Sequence, residues 1–273
     1  MSARILTLLL FLIVIVVSGC EMDGFLFNEK QIDQYSLPGN TIPDSLLEQV
    51  TFQSDGYTLY GYLIKSNPQG SGITILYCHG NKYNIDEYWD RVMWLYQLGV
   101  NVFIFDYRGF GLSEGESSEE GLFRDGEAAV NFLESVAMTD SLCLYGYSLG
   151  NVVSIHLAAS TVNPICLISE APFASANSLT QGSSILDIPA RWLTESEFDN
   201  AETVKNITTP FLLLHGTDDD FVRYRDNGRI VFENAPEPKS LVIIQGANHD
   251  DIPQTLGVDH YLDIIKDWID ESN

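Results

Sequence analysis

Positive charge is scarce in this chain. Its 273 residues hold 14 Lys and Arg against 38 Asp and Glu, a formal net charge of −24. A molecule this acidic repels phosphate backbones and anionic headgroups at long range, which excludes nucleic-acid binding. Cysteine is sparse as well, with 4 residues and no ligand-type spacing, so neither a zinc site nor a disulfide framework is implied. Internal repeats and long low-complexity stretches are missing, which excludes solenoids and propellers. No Gly-rich phosphate loop and no cluster of metal ligands occurs, so no cofactor is expected. No apolar run reaches the ~18 residues that span a bilayer. What remains is 45% apolar and 19% charged residues, enough to bury a core and too few charges for disorder. At this length a single domain is the expectation.

The apolar run that does occur is at the amino terminus. Arg4 precedes 13 residues, Ile5 to Val17, followed by Val17-Ser18-Gly19-Cys20. That run has the length of a signal-peptide core. The sequence around Cys20 resembles the lipobox of bacterial lipoproteins, which implies cleavage before Cys20 and lipidation of its thiol. On that reading residues 1–19 are a signal peptide and 20–45 a tether with some ordered packing. The domain is then 46–273, held in the cell envelope by acyl chains facing the periplasm or the exterior; an uncleaved amino-terminal anchor is the alternative. Cys78, Cys143 and Cys166 sit in or beside apolar runs as small hydrophobes. The sequence leaves one bridge open, for instance Cys78 to Cys143.

From Leu46 onward, strand-like and helix-like segments alternate. Gln49 to Phe52, an Asp55-Gly56 turn and Leu59 to Lys65 predict a hairpin. Continuous apolar runs follow at Ile73–Cys78, Asn101–Phe105, Ser141–Tyr145, Ile165–Ser169, Phe211–His215 and Ser240–Ile244. Helical periods lie between them, near Asp86–Gln97, Glu119–Val136, Leu149–Ser160 and Tyr224–Asn234, and after them near Tyr261–Ile269. Ser117-Ser118-Glu119-Glu120 predicts a capping box. The pattern predicts an α/β fold, a mostly parallel sheet covered on both faces, with its chemistry at the carboxyl edge of the strands.

Gly146-Tyr147-Ser148-Leu149-Gly150 follows one such strand and opens a helix. A nucleophile there needs a tight turn, which flanking glycines permit, and the helix amino terminus favours an attacking alkoxide. A serine nucleophile needs a base, and the base needs a carboxylate. Asp218-Asp219-Asp220 and His249 each follow one of the last two strands. The order Ser148, Asp219, His249 suits this type of site. The oxyanion would be held by the backbone N–H groups of Leu149 and of Asn81 in Cys78-His79-Gly80-Asn81. His79 is expected to brace its loop, His156 to be packed or solvated, and His260 suggests no partner.

With these motifs in place, Leu46 to Asp270 resembles the α/β-hydrolase superfamily. His79-Gly80-Asn81, Asp106-Tyr107-Arg108-Gly109-Phe110-Gly111-Leu112-Ser113, Gly146 to Gly150 and His215-Gly216-Thr217-Asp218-Asp219 resemble one subgroup. It comprises small-capped serine hydrolases related to the fungal bud-emergence protein, the protein depalmitoylases and the serine aminopeptidases. The resemblance implies a Ser148–His249–Asp219 triad, with Asp219 as the acid among the three aspartates, and a structural role for Asp106 and Arg108. It places a short cap at about 171–205. Phe173, Leu179, Ile185, Ile188, Trp192, Leu193 and Phe198 there suit either an acyl chain or packing of the cap itself. The activity implied is hydrolysis of a small-molecule or lipid-like acyl ester or thioester. An aminopeptidase and a catalytically silent binding scaffold are the alternatives. No obligate protein partner is evident, and the membrane is met through the amino terminus.

Overall fold

The computed structural model describes residues 27–66, 70–182 and 196–273. In chain order the strands are β1 (Asn28–Glu29), β2 (Leu47–Ser54), β3 (Tyr57–Ile64), β4 (Thr74–Cys78) and β5 (Lys82–Tyr83), followed by β6 (Asn101–Phe105), β7 (Leu142–Tyr147), β8 (Cys166–Glu170), β9 (Phe211–Gly216) and β10 (Lys239–Ile244). The helices are α1 (Trp89–Tyr96), α2 (Glu119–Ser135), α3 (Gly150–Ser160), α4 (Ala176–Gly182), α5 (Asn200–Thr203), α6 (Gly228–Asn234), α7 (Ile252–Leu256) and α8 (Val258–Ser272). Eight strands make one sheet in the order β10-β9-β8-β7-β4-β6-β3-β2. Its pairs are parallel except β2–β3 and β3–β6. The expected hairpin forms there, turning through Asp55 and Gly56 at φ 50° and 88°, the left-handed pair that tight hairpins demand.

Every residue of β4, β6, β7, β8 and β9 is buried. This is why those strands read as continuous apolar runs without alternation. One face packs on α2, α3 and α6, and the other on α1 and α8. Tyr261, Leu262, Ile265 and Ile269 form the buried stripe of α8, each contributing about 1.5–3 kcal/mol of burial. α3 has no polar face; eight of its residues are buried, so the helix that begins just after Ser148 is sunk in the core. The crossovers bring the carboxyl ends of the parallel strands to one edge, the edge at which the sequence placed the chemistry.

Two local expectations need correction. The start of α2 is not a capping box. Ser118 is its N-cap and accepts from the Gly121 N–H at 3.1 Å, while Ser117 donates instead to Arg108 O at 2.8 Å. The Glu119 carboxylate accepts from the Glu197 and Phe198 N–H groups at 2.7 and 2.6 Å, clamping the later part of the expected cap segment. The disulfide is Cys143–Cys166, not Cys78–Cys143. Cys143 and Cys166 are register partners on neighbouring strands, whereas Cys78 pairs with Gly146. The described part of the tether carries ordered packing of the kind the sequence left room for. Phe27 and Ile42 are buried, β1 pairs with β5, and Ser36 and Leu37 donate to Asp86. Polar bonds rather than an apolar period hold this stretch, so its order left no pattern in the sequence.

Cys78 is fully buried and its thiol is pushed up by desolvation, so it should be inert in the native state. Outside Cys20, the native protein is expected to show no thiol reactive to a disulfide reagent. One should appear on unfolding, and two more only after reduction. A reactive native thiol from any of these three would contradict the arrangement.

Candidate active site

β7 ends at Tyr147 and α3 begins at Gly150, leaving two residues for the whole turn. Ser148 occupies the middle at φ 51°, a left-handed conformation that costs a non-glycine residue on the order of 1–3 kcal/mol. Its surroundings hold it there. Ser148 N–H donates to Glu170 O at 3.0 Å, and the buried Asn151 Nδ2 bridges Ser148 O and Glu170 O at 3.0 and 2.9 Å. The two glycines answer a spatial need. A Cβ at Gly150 would lie 1.9 Å from Cys78 O, and one at Gly146 would lie 2.2 Å from Ser154 Oγ.

Two loops from later strands meet this turn. His249 Nε2 lies 2.9 Å from Ser148 Oγ, and His249 Nδ1 lies 2.7 Å from Asp219 Oδ2. Asp219 is 3% exposed, whereas Asp218 and Asp220 are exposed. Asp219 Oδ1 accepts from the Phe221 and Val222 N–H groups at 3.0 and 2.7 Å. Burial alone would raise the Asp219 carboxyl. The bonds from His215 and His249, with the Val222 N–H, reverse this and hold it well below the usual carboxylate range. His215, which opens the motif ending in Asp219, had no role assigned from the sequence. It is buried, its Nε2 lies 2.7 Å from Val222 O and 3.5 Å from Asp219 Oδ2, and it closes the turn that aims the carboxylate.

Beneath the serine lies a polar cluster that the motifs missed. Arg91 Nη2 donates to Glu170 Oε1 at 2.6 Å, with both side chains almost wholly buried. Glu170 Oε2 also accepts from Tyr145 and Tyr261. The Arg91 guanidinium stacks 4.3 Å from the centre of the Tyr147 ring, and Tyr147 OH donates to His249 O and to Asp250. The cluster thus links α1, β8 and α8 to the residue before Ser148 and to the histidine loop. Its only sequence signal was a glutamate closing an apolar strand and an arginine in an apolar helix. Removing one partner of a buried pair strands the other charge. Arg91→Ala is therefore expected to cost about 3–5 kcal/mol in chemical denaturation. A loss below about 1 kcal/mol would show that Glu170 finds another partner.

Asn81 and Ser148 line the same cleft, of about 420 Å³, together with Tyr88, Trp94, Tyr147, Phe221 and His249. Leu149 is buried at the head of α3, so both residues expected to serve the oxyanion flank Ser148. Phe221, 70% exposed, stands edge-on to the His249 ring at the cleft's lip. Asp106 and Arg108 stand apart from the serine. Asp106 Oδ1 accepts from Ile85 N–H at 2.9 Å, and Arg108 pairs with Asp125 at 2.7 Å. His156 stacks on Phe123 and reaches Glu127, away from the cleft, while His260 is exposed. Phe173 and Phe198 are buried in the core beneath the cap position, which favours packing over acyl binding for those two. Ile185, Ile188, Trp192 and Leu193 lie outside the described residues, as do the signal segment and Cys20. Among the described residues no group of acidic, Cys or His side chains is placed to hold a metal.

Residues 71–201 match a family model described as serine aminopeptidase, S33. The uncharacterized protein YfhR of Salmonella typhi is 30% identical over 92% of this chain and 90% of its own length. The Mycobacterium tuberculosis protein Rv2307c is 30% identical over 96% of this chain and 94% of its own length. Among solved structures, the Pyrococcus furiosus esterase Pf2001 superposes with a TM-score of 0.70 at 20% identity, covering 89% of this chain and 97% of that one.

Proposed function

This chain belongs to the α/β-hydrolase superfamily, and we propose that within it the protein is a serine hydrolase that cleaves ester or thioester bonds through an acyl-enzyme intermediate. One observation carries the reading. The Ser148 Oγ–His249 Nε2 and His249 Nδ1–Asp219 Oδ2 distances, 2.9 and 2.7 Å, form an unbroken hydrogen-bonded line from nucleophile to buried carboxylate. The serine–histidine bond can pass a proton to His249 and then back, while the carboxylate stays ionised and stabilises the imidazolium.

In the first half-reaction Ser148 Oγ attacks the acyl carbon as its proton moves to His249 Nε2. Asp219 holds His249 in the tautomer with the proton on Nδ1 and stabilises the imidazolium that forms. The carbonyl electrons move onto oxygen, where the Asn81 and Leu149 N–H groups receive them at the positive end of α3. Collapse expels the alcohol or thiol, which takes the proton from His249. Water then repeats the sequence against the acyl-enzyme and frees Ser148. No step needs a cofactor. A carboxylesterase is the first reading and a thioesterase or lipase the second. The similarity to the serine aminopeptidase model keeps an aminopeptidase as a third. A silent binding scaffold would have no use for an intact proton line.

Profiling the purified protein tests these readings together. Its substrates are p-nitrophenyl esters of graded chain length, acyl thioesters and aminoacyl anilides, with fluorophosphonate labelling alongside. Turnover of esters with labelling is expected. Labelling with anilide turnover alone would move the assignment to a peptidase, and neither labelling nor turnover would sink it.

The proposal extends to the membrane. With Cys20 lipidated, six residues and seven Cα–Cα steps separate it from the buried Phe27. Fully extended they span at most about 25 Å, so the cleft stays close to the bilayer. Mass spectrometry of the mature amino terminus should find an acylated Cys20, and Cys20→Ala should remain precursor or lose the lipid. An unmodified Cys20 in protein expressed with its leader in bacteria would overturn the anchor.

A further inference from the structure

Residues 27–37 pass directly over the loops that build the site. Asn28 N–H donates to Asn81 Oδ1 at 2.9 Å, and β1 lies parallel to β5, immediately after Asn81. Lys30 N–H reaches Tyr83 O at 3.3 Å, while Ile32 N–H and Lys30 O bracket Gly111 in the loop after β6 at 3.0 and 3.1 Å. Tyr35 OH donates to Asp106 Oδ2 at 2.6 Å.

These bonds converge on one peptide group. The N–H of Asn81 belongs to the same planar unit as the carbonyl of Gly80 and points opposite to it. His79 Nδ1 holds that carbonyl at 2.7 Å. The His79 ring is in turn fixed between Tyr88 and Tyr107, at centroid distances of 5.0 and 4.4 Å, and its Nε2 faces Asp106 Oδ1 at 3.2 Å. Asp106 is the residue Tyr35 grips. The Gly80–Asn81 peptide is therefore held from two sides, through its carbonyl by Tyr35–Asp106–His79 and through the Asn81 side chain by Asn28.

We propose that residues 27–37 form a positioning strap that aims the Asn81 N–H at the oxyanion. The strap touches no reacting atom. It acts by fixing a donor whose contribution depends on alignment with charge that appears only in the transition state. Stiffness at this peptide should accordingly enter kcat and leave substrate binding alone. The proposal rests on the serine-hydrolase reading above.

Two substitutions at one position isolate the bond. Asn28→Ala keeps the N–H, and Asn28→Pro removes it. In the full chain, Asn28→Pro is expected to lower kcat on p-nitrophenyl acetate roughly three- to tenfold, the range that one hydrogen bond commands. KM should stay within about twofold, and Asn28→Ala should restore the rate. Tyr35→Phe should lower kcat in the same way. Asn81→Ala removes the accepting oxygen but keeps the backbone donor. Asn28→Pro added to it should then cost little, whereas a general loosening of the fold would cost the same in either background. Additive losses, or an Asn28→Pro protein as fast as Asn28→Ala, would overturn the strap. Should Asn28→Pro not fold, wild-type kcat in both Tyr35→Phe and Asn81→Ala would do so. A wild-type protein that a fluorophosphonate fails to label sinks the nucleophile assignment instead. A labelled wild type with unaffected variants removes the strap alone.

Discussion

Ser148→Ala is expected to abolish fluorophosphonate labelling and to lower kcat on the order of 10⁶-fold, the scale seen when other triads lose their serine. The loss is large because the remaining groups cannot substitute. His249 can still activate a water, but no oxygen is held 2.9 Å from its Nε2 at a turn aimed toward Asn81 and Leu149. Stability should hardly change. Ser148 pays for a left-handed φ of 51° that alanine would share, and the bonds holding the turn run through Ser148 N–H and O, which the substitution keeps. The thermal midpoint should therefore shift by only a few degrees. Labelling that persists in Ser148→Ala would place the nucleophile elsewhere. A collapse of the midpoint would make the lost activity uninformative and would call for Ser148→Cys.

Asp219→Asn carries the second-largest expected effect, on the order of 10⁴-fold in kcat/KM, as for the equivalent change in a serine protease. An asparagine keeps the shape but can present an N–H to His249 Nδ1 and so favour the wrong tautomer. Asp218→Asn and Asp220→Asn should each cost less than about tenfold. Both carboxylates are exposed, and Asp218 accepts from its neighbour Thr217 Oγ1 at 2.8 Å. The same substitution has a signature in stability. The Asp219 carboxyl is lowered in the folded protein, so its ionised form contributes stability that is fully present above about pH 4, the ordinary carboxylate value. That contribution is lost as pH falls toward the lowered folded value. Thermal midpoints measured down through the acid range should converge for wild type and Asp219→Asn. Convergence toward alkaline pH, or a kinetic ranking led by Asp218 or Asp220, would refute the assignment.

The alternation of apolar strand and amphipathic helix was legible from Leu46 to the carboxyl terminus, because a parallel sheet buried on both faces leaves unbroken apolar runs. Boundaries shifted by a few residues where polar bonds, not periodicity, shaped an element, as at α1, expected from Asp86 but begun at Trp89 after a 3-10 turn capped by the Asn84 side chain. The chemistry was legible for a different reason. Ser148, Asp219 and His249 sit just past strand ends, where turn geometry constrains residue type strongly enough to leave a motif. The supports of that site were not. Arg91 lies 79 residues from Glu170 and Tyr261 lies 91 from it, and no local pattern marks a contact made across the fold.

The sequence by itself therefore determined the α/β class, and it marked the candidate site at the carboxyl edge with the proposed order of nucleophile, acid and base, since each follows from local burial and turn sterics. The tertiary structure buries Asp219, the aspartate to which the motif resemblance pointed, against His249 and leaves its two neighbours exposed, because adjacent residues of one loop differ in direction. It also decided that Cys143 pairs with Cys166, which depends on strand register. The same is true of residues 27–37. They carry no apolar period and so read as a tether, yet their hydrogen bonds run to loops whose nearness exists only once the sheet has formed.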